Sequence, residues 1–318
     1  MKSPAFRVAL VLAAGRGERM QPLSNVVPKP ALPLPEGPVI ASALRLAAET
    51  GVQTVVVNTW HLAERMAAAV EEVDLPGVEL AISPEDQLMG TAGGLALARD
   101  RGLLLEDGPV LVINGDGALG LRLDSLVTHH HRGDDLVTLA LLPHLDPRRW
   151  SRVLLDAGGR VERILSPGPP AAEEAPFLYP GVMAVSRTAL DDLPATPGEI
   201  PDLLWGPARE ARRLGGVVVP GHWREVGTPA GYLEVVTQRL AGRTVVSPSA
   251  RVDPGASLAT SYIGQNAGVD AGAVVENSVV AEGAMVGRGT RVIRSVLLGA
   301  VKVRGGEAVV DEVRAEAR

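Results

Sequence analysis

Residues 8–30 read VALVLAAGRGERMQPLSNVVPKP, and this stretch decides the fold of the amino-terminal part of the chain. It begins with five aliphatic residues, a run typical of a strand that is buried on both faces. Small residues follow at once. A glycine-rich turn directly after such a strand lets backbone N–H groups approach a polyphosphate closely. The stretch therefore predicts an α/β sheet with an anion-binding loop at the carboxyl end of its first strand.

Cationic side chains accompany this loop. Arg16 and Arg19 can supply positive charge to the same anion. Lys29 stands between Pro28 and Pro30, which hold it on a stiff segment. The chain has 31 basic residues, of which only three are lysine, so a lysine inside this motif is conspicuous. We expect Lys29 to act as a compact point charge on a transferring phosphate.

Beyond this stretch, short aliphatic runs alternate with helical patterns. The pattern predicts a mixed, mostly parallel sheet covered by helices on both faces, a Rossmann-like three-layer α/β/α domain over residues 1–243. A loop rich in proline and alanine is predicted at 167–176. Strands are predicted at 8–12, 54–58, 78–83, 110–113, 136–142, 153–156, 182–185 and 217–219, and helices at 40–50, 61–73, 93–100 and 232–240.

A repeat begins after residue 243. Its aliphatic residues recur in steps of six, six and five, which gives 17 residues per coil. They are Val246, Val252, Leu258, Ile263, Val269, Val275, Val280, Val286, Val292, Leu297 and Val303. A small or β-branched residue stands four positions after nine of these eleven, and Tyr262 and Glu307 are the exceptions. This pattern resembles a left-handed parallel β-helix of hexapeptide repeats, predicted here for residues 244–308. The charged tail, 309–318, is expected to be a capping helix or disordered.

Composition excludes several classes of function. The 318-residue chain has a net charge of −6, which argues against nucleic acid or an anionic membrane as a partner. It has no cysteine, which excludes disulfides, thiolate catalysis and cysteine-bound zinc. No apolar run approaches the ~18 residues that a membrane span needs, and no signal peptide is apparent. We expect a cytoplasmic protein, and the richness in Ala, Gly and Arg favours a bacterial source.

Residues 12–24 and 28–30 resemble the signature of the sugar-1-phosphate nucleotidyltransferases, also called nucleotide-sugar pyrophosphorylases. Further segments match in the same order along the chain. They are VVVN at 55–58 with HLA at 61–63, GTAGGL at 90–95, NGD at 114–116, PGV at 180–182 and WREVGTP at 223–229. The second-strand segment is similar to the branch of mannose-1-phosphate guanylyltransferases and muramate-phosphate uridylyltransferase-like enzymes. An appended β-helix also occurs in many members.

The resemblance implies a Mg²⁺-dependent transfer of a nucleotidyl group from a nucleoside triphosphate to a sugar 1-phosphate, with release of pyrophosphate. It also implies the roles of individual residues. Catalytic roles fall to Arg19, Lys29 and Asp116. Nucleotide binding falls to Leu12, Ala13, Ala14, Gly15, Gly17, Gly90, Thr91 and Asn114, with Gly90 and Thr91 at the base. Sugar binding falls to Gly181 and Tyr179, and Mg²⁺ binding to Asp116 and Glu225.

The chain departs from the family pattern at several positions. Glu18 stands where the family usually has Thr, Glu225 where it has Asp, and Tyr179 where it has Asn. Residues 164–168, ILSPG, replace the Glu-Lys-Pro segment that holds the sugar and its phosphate. Four arginines could take the place of the missing lysine: Arg148, Arg149, Arg152 and Arg163. The nucleotide half of the pattern is therefore nearly intact, whereas the sugar half diverges.

Three functional hypotheses follow. The first is an active nucleotidyltransferase, with GTP and mannose 1-phosphate favoured and UTP next. The second is a catalytically weak homologue that binds nucleotide or nucleotide-sugar as a regulatory or scaffolding subunit. The third, acyl transfer by the β-helix, is disfavoured because such enzymes need a histidine base and residues 244–318 contain no histidine. We expect the β-helix to stabilise a homo-oligomer. His129–His131 are expected at a solvated helix end or loop.

Overall fold

A computed structural model describes residues 6–104 and 107–317. The described chain forms two compact units. The first contains residues 6–15, 40–63, 74–104 and 107–223, and the second contains residues 16–39, 64–73 and 224–317. The domain boundary at residue 243 stays a prediction from the sequence.

The strands up to residue 225 are short and aliphatic. They are β1 (Val8–Leu12), β2 (Pro33–Leu34), β3 (Gly37–Pro38), β4 (Thr54–Thr59), β5 (Glu79–Pro84), β6 (Val110–Asn114), β7 (Gly117–Leu121), β8 (Val137–Pro143), β9 (Arg152–Leu155), β10 (Val161–Leu165), β11 (Phe177–Leu178), β12 (Val182–Val185), β13 (Leu214–Val218) and β14 (Gly221–Glu225).

Ten of these strands form the central sheet of the first unit, in the order β10-β9-β11-β8-β12-β6-β1-β4-β5 with β13 beside β8. Neighbouring strands in the series β6-β1-β4-β5 are parallel, and β12 is antiparallel to both β6 and β8. Every residue of β1 is buried, because both faces of the sheet are covered. The predicted mixed, mostly parallel sheet is confirmed.

Helices cover this sheet on both faces, as the sequence predicts. Val8, Leu10 and Leu12 pack into one core with α3, α5 and α6, and α1 and α4 contact the sheet as well. The intervening residues Ala9 and Val11 are equally buried. The helices are α1 (Ala41–Glu49), α2 (Ala63–Glu71), α3 (Gly90–Asp100), α4 (Asp124–Arg132), α5 (Arg187–Asp191), α6 (Gly206–Glu210) and α7 (Pro229–Leu240). Residues 64–71 of α2 and all of α7 belong to the second unit.

The last turn of α4 carries the three adjacent histidines, and one of them differs from the expectation. His130 is only 6% exposed, so the prediction of a solvated position was wrong for this residue. Its Nδ1 lies 2.8 Å from the hydroxyl of Thr138, which itself donates to Asp135. The hydroxyl proton is thus in use, and Nδ1–H of His130 is the donor. Burial, with smaller effects of His131 and His129, lowers the pKa of His130 from 6.5 to about 4.

This buried histidine is expected to make the stability of the protein dependent on pH. Between pH 6.5 and about 4 only the unfolded chain takes up the proton, so the free energy of unfolding falls by up to about 3 kcal/mol as the pH decreases. Above pH 6.5 the ring is neutral in both states and contributes no slope. Urea unfolding across this range should show a shallower slope for His130→Gln than for wild type. His131→Gln, at an exposed position, is the control, and an unchanged slope in His130→Gln would contradict the assignment.

The repeat segment forms a three-sided parallel β-helix in the second unit. Its three sheets have the orders β15-β18-β21-β24-β27, β16-β19-β22-β25 and β17-β20-β23-β26, and neighbouring strands are parallel. The strands are β15 (Val245–Val246), β16 (Arg251–Val252), β17 (Ser257–Ala259), β18 (Tyr262–Ile263), β19 (Gly268–Val269), β20 (Val274–Glu276), β21 (Val279–Val280), β22 (Met285–Val286), β23 (Arg291–Ile293), β24 (Val296–Gly299), β25 (Lys302–Val303), β26 (Ala308–Val310) and β27 (Val313–Glu316).

The predicted 17-residue period is the register of these sheets. Val246 pairs with Ile263, Ile263 with Val280 and Val280 with Leu297. One corner of the coil has a polar ladder that the sequence analysis did not identify. The backbone N–H of Ser278 donates to Ser261 Oγ at 3.2 Å, and that of Ser295 to Ser278 Oγ at 3.1 Å. These buried hydroxyls satisfy corner N–H groups that the strands leave unpaired.

The predicted helical or disordered tail was wrong for residues 309–316. Val309 pairs with Val292, and Val313 pairs with Val296, so the β-helix continues through the charged segment. The charges lie on its outside, where Arg314 pairs with Glu307 at 2.7 Å and with Glu312 at 2.9 Å. The 17-residue spacing from Val292 to Val309 was the signal that could have predicted this last coil.

The remaining described part of the second unit carries short 3₁₀ turns at Glu18–Met20, Leu23–Asn25 and Lys29–Ala31, and the hairpin β2–β3. The hydroxyl of Tyr232 on α7 donates to the carbonyl of Pro33 at 2.6 Å, which ties this hairpin to α7. Within residues 6–104 and 107–317, none of the helices has the length and apolar character that a membrane crossing requires.

Candidate active site

The carboxyl ends of β1, β4 and β6 meet at one edge of the sheet in the first unit. Leu12 is in register with Asn58 of β4 and with Asn114 of β6. The N–H of Gly115 donates to the carbonyl of Leu12 at 2.9 Å, and the half-buried Asp116 follows in the turn beyond the strands. The structure thus brings Leu12, Asn114 and Asp116 to the edge where open α/β sheets bind their ligands.

The loop that follows β1 changes from buried to open within three residues. Ala13 and Ala14 are buried, whereas Gly15 is exposed, and a Cβ at Gly15 would have no atom within 4 Å. The N–H of Ala13 donates to Asn58 Oδ1 at 2.7 Å. The amide of Ala13 is therefore satisfied within the protein, and in this arrangement the open backbone of Gly15 is the better position for a phosphate.

In the second unit, Gly17 and Lys29 lie against each other. Gly17 has a φ of +64°, and a Cβ there would lie 3.3 Å from Lys29 Cβ and 3.4 Å from Ser24 Cβ. Both the left-handed turn and the close approach favour glycine. Lys29 is only 9% exposed although it carries a positive charge. A buried charged side chain needs polar partners, because its desolvation is otherwise costly.

Arg19 and Glu225, expected to bind the triphosphate and Mg²⁺ respectively, form an ion pair in the second unit. A guanidinium nitrogen of Arg19 lies 3.1 Å from Glu225 Oε1, and the Arg19 side chain is 71% exposed. The Glu225 side chain is only 18% exposed, so the pair is partly buried. A substrate phosphate at Arg19, or a cation at Glu225, would have to take the place of the other residue as the partner of opposite charge. Glu18 is exposed to solvent.

Gly90 and Thr91 are not in a loop but in the first turn of α3, which begins three residues earlier than predicted. Glu199 accepts hydrogen bonds from the N–H and the hydroxyl of Thr91, at 3.3 and 2.7 Å. A Cβ at Gly90 would lie 2.5 Å from the carbonyl oxygen of Gly198. A Cβ at Gly93 would lie 2.6 Å from the carbonyl oxygen of Thr196. These glycines make room for the protein's own segment 196–199. Base recognition by Gly90 and Thr91 stays a prediction.

The two residues predicted to bind the sugar have different environments. Gly181 lies against Asn114, because the N–H of Asn114 donates to the carbonyl of Gly181 at 2.7 Å. Tyr179 packs edge-on against Trp205, with ring centroids 4.9 Å apart, at the margin of the main core. Burial raises the pKa of the Tyr179 hydroxyl. The structure thus gives Gly181 a place beside a predicted nucleotide residue, whereas the Tyr179 ring serves packing.

Comparison with protein families decides the class of this arrangement. Residues 8–241 match the family model described as nucleotidyl transferase, which is more than half of the chain. The chain belongs to the nucleotidyl transferase family. The matched region includes the β1 loop, Lys29, Asp116 and Glu225, and it ends at α7. The activity class is therefore nucleotidyl transfer.

Named relatives and a solved structure agree with this assignment. The chain is 28% identical over 255 residues to a probable mannose-1-phosphate guanylyltransferase 2 of Arabidopsis thaliana, and the alignment covers 76% of this chain and 67% of the relative. It is 26% identical over 249 residues to the mannose-1-phosphate guanylyltransferase catalytic subunit beta of Drosophila pseudoobscura pseudoobscura. That alignment covers 78% of this chain and 66% of the relative. HddC from Yersinia pseudotuberculosis shares the fold, with a TM-score of 0.61 at 18% identity over 74% of this chain and 100% of HddC.

Some of the arginines suggested as substitutes for the family lysine hold the diverged segment in place. Arg152 is 12% exposed and donates to Glu174 at 2.8 Å, and Arg163 lies 3.5 Å from the same carboxylate. Arg149 stacks on Trp150, with its guanidinium carbon 4.7 Å from the ring centroid. The loop at 167–176, which is a loop as predicted, is thus tied to β9 and β10 through Glu174.

Asp116 in the first unit and Glu225 in the second each have the chemistry of a magnesium ligand. Magnesium prefers oxygen ligands and usually takes one or two carboxylates together with substrate phosphates. Asp116 and Glu225 can each offer one carboxylate. Across the described ranges, 6–104 and 107–317, there is no group of three or more His, Cys, Asp or Glu side chains that could hold a metal.

Sequence reasoning missed the role of Glu85 and Glu199. Each anchors the first turn of α3, Glu85 through the N–H of Met89 and Glu199 through Thr91. Neither lies in a recognisable motif. Glu199 contacts a residue 108 positions away, so no local pattern could have identified it.

Proposed function

We propose that this chain transfers a nucleotidyl group from a nucleoside triphosphate to a sugar 1-phosphate, with GTP and mannose 1-phosphate as the favoured substrates. The observation that carries this proposal is the alignment of Leu12, Asn114 and Asp116 at the carboxyl edge of the sheet, within a chain of the nucleotidyl transferase family. The names of the relatives, mannose-1-phosphate guanylyltransferases at 26–28% identity, support the choice of substrates.

The proposed reaction needs no covalent intermediate. A phosphate oxygen of the sugar phosphate attacks the α-phosphorus of the nucleotide and forms the new P–O bond. The bond between the α-phosphorus and the bridging oxygen to the β-phosphorus breaks, and pyrophosphate leaves with the electron pair. The protein's contribution is positioning and neutralisation of charge. Lys29 steadies the α-phosphate, Arg19 holds the β- and γ-phosphates, and the open backbone at Gly15 accepts the phosphate chain.

Magnesium completes this scheme as a proposal. Asp116 in the first unit and Glu225 in the second are each proposed as a ligand, and the ion would supply charge neutralisation on the triphosphate oxygens. For Glu225, binding the metal requires separation from Arg19, its partner in the ion pair. Arg19 would then exchange Glu225 for a substrate phosphate, and Glu225 would exchange Arg19 for the metal ion.

A second function is supported by the diverged sugar half. The segment at 164–168 lacks the family's Glu-Lys-Pro, and Arg152 and Arg163 are paired with Glu174. A homologue with this sugar half would bind nucleotide or nucleotide-sugar and regulate or scaffold a partner.

We also propose self-association through the β-helix, since Val246 in its first coil is 42% exposed. Sedimentation equilibrium measures the oligomeric state.

The test is pyrophosphate release by the purified chain, measured over a grid of nucleoside triphosphates and sugar 1-phosphates with and without Mg²⁺. We expect release that depends on the sugar phosphate and on Mg²⁺, with GTP and mannose 1-phosphate as the best pair. A better rate with UTP would keep the reaction and change the base. A silent grid with nucleotide binding still detected by calorimetry would overturn the proposal in favour of the regulatory subunit.

A further inference from the structure

A buried polar pair, Asn58 and Glu85, lies beneath two loops of the first unit. Asn58 lies near the carboxyl end of β4 and is 2% exposed. Glu85 directly follows β5 and is 7% exposed. A carboxyl group that is so little exposed needs polar partners, because an unpaired buried charge is costly. Burial raises the pKa of Glu85, whereas its bonds to Met89 and Asn58 and the charge of Arg101 act in the opposite direction.

The hydrogen bonds of this pair all lead towards the carboxylate of Glu85, which accepts from both sides. The N–H of Ala13 donates to Asn58 Oδ1 at 2.7 Å, Asn58 Nδ2 donates to Glu85 Oε1 at 2.7 Å, and the N–H of Met89 donates to Glu85 Oε2 at 3.0 Å. If the amide of Asn58 were reversed, its NH₂ would face the N–H of Ala13 and its oxygen would face the carboxylate. The carboxylate of Glu85 therefore fixes the orientation of Asn58, and Asn58 fixes the amide of Ala13.

The surrounding backbone is shaped to this pair. A Cβ at Gly94 on α3 would lie 2.6 Å from Glu85 Oε1 and 2.7 Å from Asn58 Nδ2. The N–H of Glu85 also donates to the carbonyl of Thr59 at 2.7 Å, which holds its backbone to the end of β4. Glycine at 94 thus leaves the space in which the carboxylate and the amide meet.

We infer that Asn58 and Glu85 are positioning residues, which hold the β1 loop at Ala13 and the start of α3 at Met89 in one fixed arrangement. The inference rests on the proposed function to the extent that both loops are proposed to bind the nucleotide. Because the two side chains are buried, they act on the substrate through the loops. Loss of either one is expected to weaken nucleotide binding and to leave the KM for the sugar phosphate nearly unchanged.

An exchange of the two functional groups tests this inference sharply. In Glu85→Gln, the new side chain has one acceptor oxygen and one NH₂ group, so either Asn58 Nδ2 or Met89 N–H faces another donor. In Asn58→Asp, two carboxylates face each other. In the double variant, the new Asp accepts from Ala13 N–H and from the Gln amide, whose oxygen accepts from Met89 N–H. All three hydrogen bonds and the single negative charge are restored.

Two measurements are made on wild type, both single variants and the double variant. One is the dissociation constant for GTP with Mg²⁺ by calorimetry, with the KM and kcat for each substrate. The other is amide hydrogen exchange of residues 13–15 and 89–91 in the absence of substrate. We expect each single variant to bind GTP about 10-fold more weakly or worse and to exchange faster at both loops. We expect the double variant to return within about threefold of wild type. Glu79→Gln, at an exposed position of β5, is the isosteric control.

The outcomes separate this inference from the proposed function. If wild type binds no nucleotide but the exchange pattern is lost in the single variants and restored in the double variant, the proposed function fails and the positioning role stands. If GTP binding is strong and the single variants match wild type in affinity and exchange, the positioning role is overturned. Single variants that fail to fold still leave a decision, since a double variant that also fails to fold contradicts the restored network.

Discussion

Lys29→Ala is expected to lower sugar-dependent pyrophosphate release by about 100- to 1,000-fold, because removal of one group that stabilises developing charge typically has an effect of that size. The reason lies in the burial and the segment of this lysine. It is 9% exposed, begins a short 3₁₀ turn between two prolines and lies against Gly17. A cation held in this way loses little entropy when it contacts a phosphate, and no other lysine in this segment can replace it.

Asp116→Ala is expected to reduce release by a similar factor, about 100-fold or more, if its carboxylate anchors the magnesium ion. The matched controls are Lys302→Ala on the exposed side of β25 and Asp124→Ala in the exposed first turn of α4. Lys29→Met keeps the aliphatic volume and separates loss of charge from loss of packing. Wild-type rates in Lys29→Met and Asp116→Ala, with unchanged melting temperatures, would contradict the assigned roles.

Gly181→Ala is expected to reduce the free energy of unfolding by about 3 kcal/mol, since it combines backbone strain with a steric clash. Gly181 has a φ of +87°, and a Cβ there would lie 2.7 Å from Asn114 Cβ. Because the backbone fixes the position of Asn114 Cβ, the backbone at Asn114 or at residue 181 must shift to accept the methyl group. Because Asn114 is at the carboxyl end of β6 next to the β1 loop, nucleotide transfer is expected to fall together with stability.

Gly77→Ala is the control for this prediction. Gly77 has a φ of +77°, but a Cβ there would have no atom within 4 Å. This substitution carries the strain of the left-handed backbone without the clash, so about 1 kcal/mol is expected. Urea unfolding of both variants gives the difference. Equal losses at the two positions would show that Asn114 yields to the methyl group, against the prediction.

The β-helix shows how far the sequence alone can predict structure. Its inward residues, such as Ile263 and Val280, repeat at 17-residue intervals that became the strand register. The prediction succeeded because one coil contacts only the next, so the period of the sequence is the period of the contacts. The prediction ended at residue 308, whereas the strands continue to residue 316, because the charges around Arg314 and Glu312 concealed the aliphatic positions that continue the period.

The α/β sheet could be predicted to a similar extent. The buried runs at β1, β4 and β6 and the small residues after Leu12 indicate strands and the edge at which a ligand binds, because strand length, hydrophobicity and turn residues are local properties. What could not be predicted were the short strands such as β10 and β11, whose pairing partners are set by the surrounding sheet. The beginning of α3 at Gly90 was missed because its first turn is anchored by Gly198 and Glu199.

The two architectures, the position of the β1 loop and the residue types that can bind phosphate and magnesium all follow from the amino-acid sequence. Which of those groups already have a hydrogen-bond or ion-pair partner within the protein follows only from the three-dimensional packing. Ala13 donates to Asn58, Thr91 is held by Glu199, and Arg19 is paired with Glu225. These partners are 45, 108 and 206 residues apart in the chain. Contacts over such separations depend on how strands and loops pack together, and packing is not a property of any local stretch of sequence.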